Sequence, residues 1–382
     1  MTAPSDDPFA GLAWRSAEER EAEERAARRA FRRQMVGWGL LVAAVAAAAI
    51  LAVSPAPYVV ERPGPAYDTL GSTVTDGVEQ PLIDIPDATT YPVDGELSML
   101  TVYVDGSRER PLAWLDIAIA WLDPSRAVLP VEAVFPEGQT EEQSDEENAQ
   151  AMVDSQQDAV AAALTELGVE YGSVVTVAQV LDDGAAADLL EAGDRILDVD
   201  GQAVTTVDEL RAALAASGVG VPVDLAVERD GDPVSVTVTP TASETDGSPV
   251  LGIYAGTEYD FPYEVDVRLQ GVGGPSAGMM FALAIYDRLT PGALTGGEEI
   301  AGTGTISAGG EVGAIGGIVQ KAFGARDAGA DWLLLPTSNC AELSGRVPSG
   351  IEAFTIDDLD DAIALVDAIG SGDDLSGFPR CE

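Results

Sequence analysis

The sequence of 382 residues contains no histidine, and its only lysine, Lys321, stands against 19 arginines. Without an imidazole, neither a Ser-His-Asp nor a Cys-His arrangement can be assembled, so a serine nucleophile in this chain has only lysine as its base. Lysine is normally among the commonest residues. Keeping one ammonium where every other cation is a guanidinium points to a property that arginine lacks, the ability to lose a proton when buried. The scarcity also excludes an ATP-driven motor within this sequence, because a phosphate loop needs a lysine beside Ser or Thr. Basic residues are few overall: 20 against 65 acidic ones give a formal charge of −45. Such a surface repels nucleic acid and anionic headgroups. The charge is read as a solubility device, with a dedicated cationic partner as the alternative.

What is present begins with a run free of charge, MVGWGLLVAAVAAAAILAV from Met35 to Val53, long enough to cross roughly 30 Å of hydrocarbon as a helix. Arg25, Arg28, Arg29, Arg32 and Arg33 precede it and no basic residue follows until Arg62. This bias predicts a single-pass membrane protein with a cytoplasmic N-terminus and the rest outside. A signal peptide ending near Ser54-Pro55-Ala56 is the competing reading, set against a long leader of 34 residues. On the exterior side disulfides persist, so Cys340 and Cys381 are expected to pair and tie the polar C-terminal tail to the loop after Pro336; two free structural thiols are the alternative.

After a turn-rich connector, GELSMLTVYVDG alternates as a strand does, residues 111–122 read as a short amphipathic helix, and Gln139 to Gln150 as an acidic loop or helix start. Met152 to Leu167 has helical spacing and ends at Gly168. From about Ser173 to Thr239 the pattern becomes β-rich. Leu190 to Gly201 (LEAGDRILDVDG), a helix over Val207 to Ala216 and a hairpin at Arg229-Asp230-Gly231 resemble a PDZ domain. That resemblance implies binding of an extended peptide at a sheet edge. No glycine-hydrophobic signature stands before Val174, so the loop that would bind a terminal carboxylate is not assigned.

Residues 262–366 carry a second set of signals. A strand is expected over Tyr263 to Leu269, then the turn Gly273-Gly274-Pro275-Ser276-Ala277-Gly278 opens an apolar helix, Ile300 to Ile306 follows, and Gly310 to Ile318 leads to Lys321. Ser276 near a helix N-terminus would have free backbone N–H groups for a developing oxyanion. For Lys321 to act as base near neutral pH its pKa must fall from about 10.4, at a cost of about 4 kcal/mol; burial among Ile318, Val319, Ala322 and Phe323 is the available cause. In order and spacing this stretch is similar to the proteolytic domain of the Lon family. The resemblance implies Ser276 as nucleophile, Lys321 as base, Thr303 as a hydroxyl orienting the lysine, and backbone donors from Gly274, Ser276 and Ala277. Many Lon proteases have an acid three residues before the serine, where this sequence has Gly273. Taken one by one, Ser276 also suits a helix N-cap, Thr303 an ordinary strand and Lys321 chance survival.

The fold class expected is α+β: a Lon-type proteolytic domain with a β-rich PDZ domain, preceded by a single transmembrane helix. The divisions are a cytoplasmic tail (1–34), the span (35–53), an N-terminal α+β segment (54–168) suspected to be the first part of a discontinuous proteolytic domain, the PDZ domain (169–242), the Lon-like domain (250–370) and a tail (371–382). The implied function is ATP-independent endopeptidase action on exported or membrane proteins outside the cytoplasmic membrane, with the PDZ domain selecting substrates. No cofactor or metal is expected. Partners are protein or peptide substrates and the membrane; relatives with this domain often form rings, which leaves a homo-oligomer open. The opposing reading is a PDZ peptide-binding scaffold on a non-catalytic Lon-like platform, and a third is a protein that cuts only itself.

Overall fold

The computed structural model describes residues 17–75, 77–136, 138–243, 245–269 and 271–381. The apolar run lies in a helix, Ala17–Val53, of which Phe31–Val53 is long and apolar enough to cross a membrane and has no buried residue. Part of the predicted cytoplasmic tail, residues 1–16, lies outside the described residues.

The larger domain is a three-layer arrangement around a six-stranded mixed sheet in the order Glu352–Ile356, Trp332–Pro336, Glu299–Gly302, Glu96–Asp105, Tyr58–Asp68, Ala127–Pro130. The first four run parallel, Tyr58–Asp68 runs against them, and Ala127–Pro130 pairs antiparallel with Tyr58–Asp68. Period-2 alternation sorts the strands' side chains between two cores. Leu97, Met99, Ile300, Leu334, Phe354 and Ile356 pack on one face against the helices Glu141–Glu166, Gly278–Leu289 and Leu359–Ser371. Leu100, Ala301, Leu333, Leu335 and Ala353 pack on the other against the helix Ile318–Ala328. Parallel strands buried on both faces read as continuous apolar runs, as Trp332-Leu333-Leu334-Leu335 does. The sheet therefore draws three strands from before residue 131 and three from after residue 298, with the PDZ region between them in sequence.

That region forms its own sheet in the order Asp232–Val238, Val223–Arg229, Arg195–Val199, Gly172–Val180, Ile253–Asp260, with the helix Val207–Ser217 packed on it. Its last strand comes from beyond the expected boundary at 242. Ile253–Asp260 pairs antiparallel with Gly172–Val180 and stands at the sheet edge. A turn Leu251-Gly252-Ile253-Tyr254 leads into this edge strand, with Gly252 at φ +73° against the backbone of Gly184, where a Cβ would come within 2.4 Å of a Cα. The glycine-hydrophobic signature sought before Val174 thus has a counterpart at the opposite end of the unit.

The acidic stretch from Gln139 proved to be the start of a 26-residue helix, Glu141–Glu166, opened by a Thr140–Gln143 capping box. The strand expected over Tyr263 to Leu269 is only Asp266–Val267, paired with Ile83–Asp84. Arg268 and its neighbours instead tie down the preceding loop, through Arg268 N–H to Leu82 O and its guanidinium to Asp84 and Asp266. Cys340 and Cys381 are joined in a disulfide, and Cys381 N–H donates to Ala353 O, laying the tail along the outermost strand.

Candidate active site

The site lies at the carboxyl ends of the parallel strands, where helices from the two faces of the sheet approach each other. On one face, the turn Gly273 to Ala277 feeds the helix Gly278–Leu289, whose N-cap is Ala277, so Ser276 stands one residue before the cap. The turn is fixed by the long helix: Asn148 O accepts from Gly274 N–H at 2.8 Å, and Ser155 Oγ donates to Pro275 O at 2.9 Å. Gly278 has no room for a side chain, since a Cβ would sit 2.8 Å from Ser155 Oγ and 2.9 Å from Ile306 Cγ2. Gly273 is equally confined. Its Cβ would lie 2.9 Å from Asn148 Cβ and 3.2 Å from that residue's carbonyl carbon and oxygen. The acid that many Lon proteases carry at this position has no space while the long helix occupies it.

On the other face, the helix Ile318–Ala328 is bounded by left-handed glycines, Gly317 (φ +69°) and Gly329 (φ +97°), the conformation glycine adopts without penalty. Lys321 belongs to its first turn, its N–H bonded to Gly317 O. The side chain is 2% exposed, and its Nζ lies 2.7 Å from Ser276 Oγ and 2.9 Å from Thr303 Oγ1. Thr303 is fully buried where the strand Glu299–Gly302 ends; its N–H donates to Leu334 O and its hydroxyl to Ser276 O at 2.9 Å. One hydroxyl thereby orients both the amine and the serine backbone.

Burial pushes the Lys321 ammonium down to about 7, and the Glu61 carboxylate pulls the other way. The positive end of the lysine's own helix adds to the disfavour of a cation there. Glu61 comes from the strand Tyr58–Asp68 and shares a cavity of about 360 Å³ with Gly317, Gln320, Glu342 and Arg346. Its own carboxyl is raised above the ordinary range by burial first and by Glu342 second, with Lys321 opposing. A carboxylate therefore does reach the ammonium electrostatically, and desolvation still prevails.

Of the three backbone donors assigned from sequence, Gly274 requires correction, because its N–H is committed to Asn148 O. Those of Ser276 and Ala277 have no acceptor among the described residues and adjoin the positive end of the Gly278–Leu289 helix. Gly271, Val272 and Gly273 form one wall of an open cleft of about 1470 Å³ that continues past Asn148 and Phe135 to Leu112. Glu61, Asn148 and Ser155 were not found by sequence reasoning. They lie more than a hundred residues from Ser276 and carry no local signal. Among the described residues no cluster of side chains suits a metal ion.

The junction with the PDZ sheet is polar and aromatic. Tyr259, on the edge strand, donates to Asp158 Oδ1 of the long helix at 2.7 Å and stacks on Phe261 with ring centroids 5.0 Å apart. The helix Val207–Ser217 is held to the same strand through Val207 N–H to Thr257 Oγ1 at 3.1 Å.

Two family models match the chain. Residues 271–366 match the model of the Lon protease (S16) C-terminal proteolytic domain, and residues 146–239 that of the PDZ domain. Lon protease 1 of Sorangium cellulosum is 39% identical over 94 residues, 24% of this chain and 11% of that protein; Lon protease of Chloroflexus aurantiacus is 39% identical over 95 residues, again 24% and 11%. The chain thus matches about a tenth of these relatives' length. Among solved structures, the PDZ domain of an SdrC-like protein from Listeria monocytogenes is 32% identical over 23% of this chain and 90% of that one, with a TM-score of 0.21. The chain carries a PDZ domain and, after it, a proteolytic domain of the Lon C-terminal type.

Proposed function

We propose that this chain is a membrane-anchored, ATP-independent serine endopeptidase in which Ser276 and Lys321 form the catalytic pair. The observation that carries the reading is the 2.7 Å approach of the sole lysine's Nζ to Ser276 Oγ, in a pocket that brings the ammonium's pKa to about 7. Neutral Lys321 takes the Oγ proton as oxygen attacks the scissile carbonyl, and the resulting ammonium gives that proton to the leaving amine. The same amine then activates water to release the acyl group from Ser276. Thr303 keeps Nζ directed at Oγ. The N–H groups of Ser276 and Ala277 stabilise the oxyanion, an interaction that in other enzymes contributes about 3–4 kcal/mol.

The span Phe31–Val53, with arginines before it and at its start, anchors the chain with its N-terminus in the cytoplasm and the catalytic part outside. The disulfide Cys340–Cys381 suits an oxidising compartment. The PDZ unit selects substrates: an extended C-terminus would add to the free side of the edge strand Ile253–Asp260, its carboxylate at the Leu251 to Tyr254 turn and its upstream residues running toward Tyr259 and the long helix. The test is cleavage of unfolded casein by the full chain in detergent micelles without ATP, beside Ser276→Ala and Lys321→Arg. Cleavage by the parent alone is expected. Equal cleavage by the Ser276→Ala chain would remove Ser276 as the nucleophile, and absence of cleavage by all three would leave the PDZ unit as the functional part.

A further inference from the structure

The short helix Trp114–Ala120 carries apolar residues on its outward side as well as on its inward one. Ile117 and Ala120 are buried against Ala56 and Val60, and Trp114 packs edge-on to Tyr58 with centroids 5.7 Å apart. Leu115 and Ile119, at spacing i and i+4, face outward, 52% and 53% exposed, and the turn that ends the helix adds Trp121 at 63% and Leu122 at 86%. Side chains at this spacing share a helix face. Four adjoining large apolar residues left in solvent mark an interaction surface. Its place in the fold names the occupant. The segment after the apolar helix is bonded directly to the base of this one: Ser54 O accepts from Trp114 N–H at 3.2 Å, Ala56 N–H donates to Leu112 O at 2.8 Å, and Pro55 faces Ala113 in an antiparallel bridge. The patch therefore begins one hydrogen bond from the residue after Val53, where the span leaves the bilayer.

We propose that Leu115, Ile119, Trp121 and Leu122 dock into the outer surface of the lipid bilayer and hold the proteolytic domain against it; the proposal rests on the anchor reading above. Leucine and isoleucine on one helix face, with an exposed tryptophan at the helix C-cap, suit an interfacial helix, which lies about 5–10 Å into the headgroup boundary. The nearby charges do not oppose this. Asp116 caps the helix start at Ala113 N–H, Asp123 is paired with Arg126 at 3.0 Å, and both lie beside the patch rather than on it. With a chain charge of −45, attachment is apolar in origin and insensitive to salt. Docking would also bring the Leu112 end of the large cleft within reach of the membrane surface.

The test uses the full chain reconstituted in phosphatidylcholine vesicles, with a polarity-sensitive dye on single introduced cysteines while the native pair stays in its disulfide. The sites are Leu122→Cys in the patch, Leu41→Cys in the span and Val219→Cys on the PDZ unit. The expected result is blue-shifted emission at 41 and 122, quenched at 122 by nitroxide lipids labelled near the headgroup, and a water-like, unquenched signal at 219. Quenching at 41 with a water-like signal at 122 would overturn the docking proposal and leave the anchor standing. No quenching at 41 would remove the anchor and the proposal with it. Blue-shifted but unquenched dye at 122, with unlabelled Leu122→Cys chains cross-linking to one another, would make the patch a contact between protein chains and overturn the lipid assignment.

Discussion

Replacing Lys321 by methionine should stabilise the proteolytic domain at acid and neutral pH and lose that advantage in alkali. The folded protein holds the lysine's pKa near 7, from an ordinary value of 10.5, by burial. At about 1.4 kcal/mol for each pH unit, protonated Lys321 costs the folded state roughly 5 kcal/mol below pH 7. Between pH 7 and 10.5 the unfolded chain binds the proton and the folded chain does not, so unfolding free energy rises with pH across that window and the penalty fades. Methionine fills a similar volume without charge. It forfeits the bonds to Ser276 and Thr303, about 1 kcal/mol each. Below pH 7 the net gain is therefore about 3 kcal/mol, or a rise in urea midpoint on the order of 1–2 M. Above pH 10.5 the sign reverses. Urea unfolding of parent and Lys321→Met, followed by circular dichroism at pH 6 and 11, measures both ends, and other titrating groups cancel in the difference. A difference of one size and sign at both pH values would refute the reasoning that burial is the main cause keeping this amine neutral.

Three further outcomes follow from the same geometry. Glu61→Gln removes the carboxylate that supports the ammonium, so the rise of kcat/KM with pH should move to lower pH; a shift upward, or none, would mean that Glu61 does not act on Lys321. Gly273→Asp, which restores the acid seen in many Lon proteases, should reduce casein cleavage at least tenfold, the rate equivalent of about 1.4 kcal/mol, because its Cβ would meet Asn148 at 2.9 Å; parental rates would show that the long helix yields. Changing Cys340 and Cys381 together to serine releases a closed loop with a sequence separation of 41 and should cost about 4 kcal/mol on the chain-entropy estimate. Urea unfolding of the double variant, beside the parent with and without reductant, reads that loss.

The sequence made Ser276, Thr303 and Lys321 legible because each stands in a glycine-marked turn or helix start whose order and spacing survive translation into three dimensions. It could not supply Asn148, Ser155 or Glu61. Their roles arise from the long helix and an N-terminal strand closing over the serine turn across intervals of over a hundred residues, and nothing local in NAQ, DSQ or VER marks such contacts. The edge strand Ile253–Asp260 was missed for a different reason. Its alternation is clear in IYAGTEYD, but a domain end drawn at 242 separated it from the sheet it completes. Tyr263 to Leu269 erred in the opposite sense, an alternating pattern spent on ion pairs and loop bonds around Arg268 instead of a ladder.

The central claim, that Ser276 is a nucleophile activated by a neutral Lys321, is tested most directly by a fluorophosphonate probe. The full chain in detergent is treated with it across pH 5 to 9, and the adduct is located by peptide mass analysis. The account predicts a single adduct on Ser276, formed at a rate that climbs through a midpoint near pH 7 and is abolished in Lys321→Arg, whose guanidinium stays charged. Labelling of Ser276 that is independent of pH and unchanged in Lys321→Arg would contradict it.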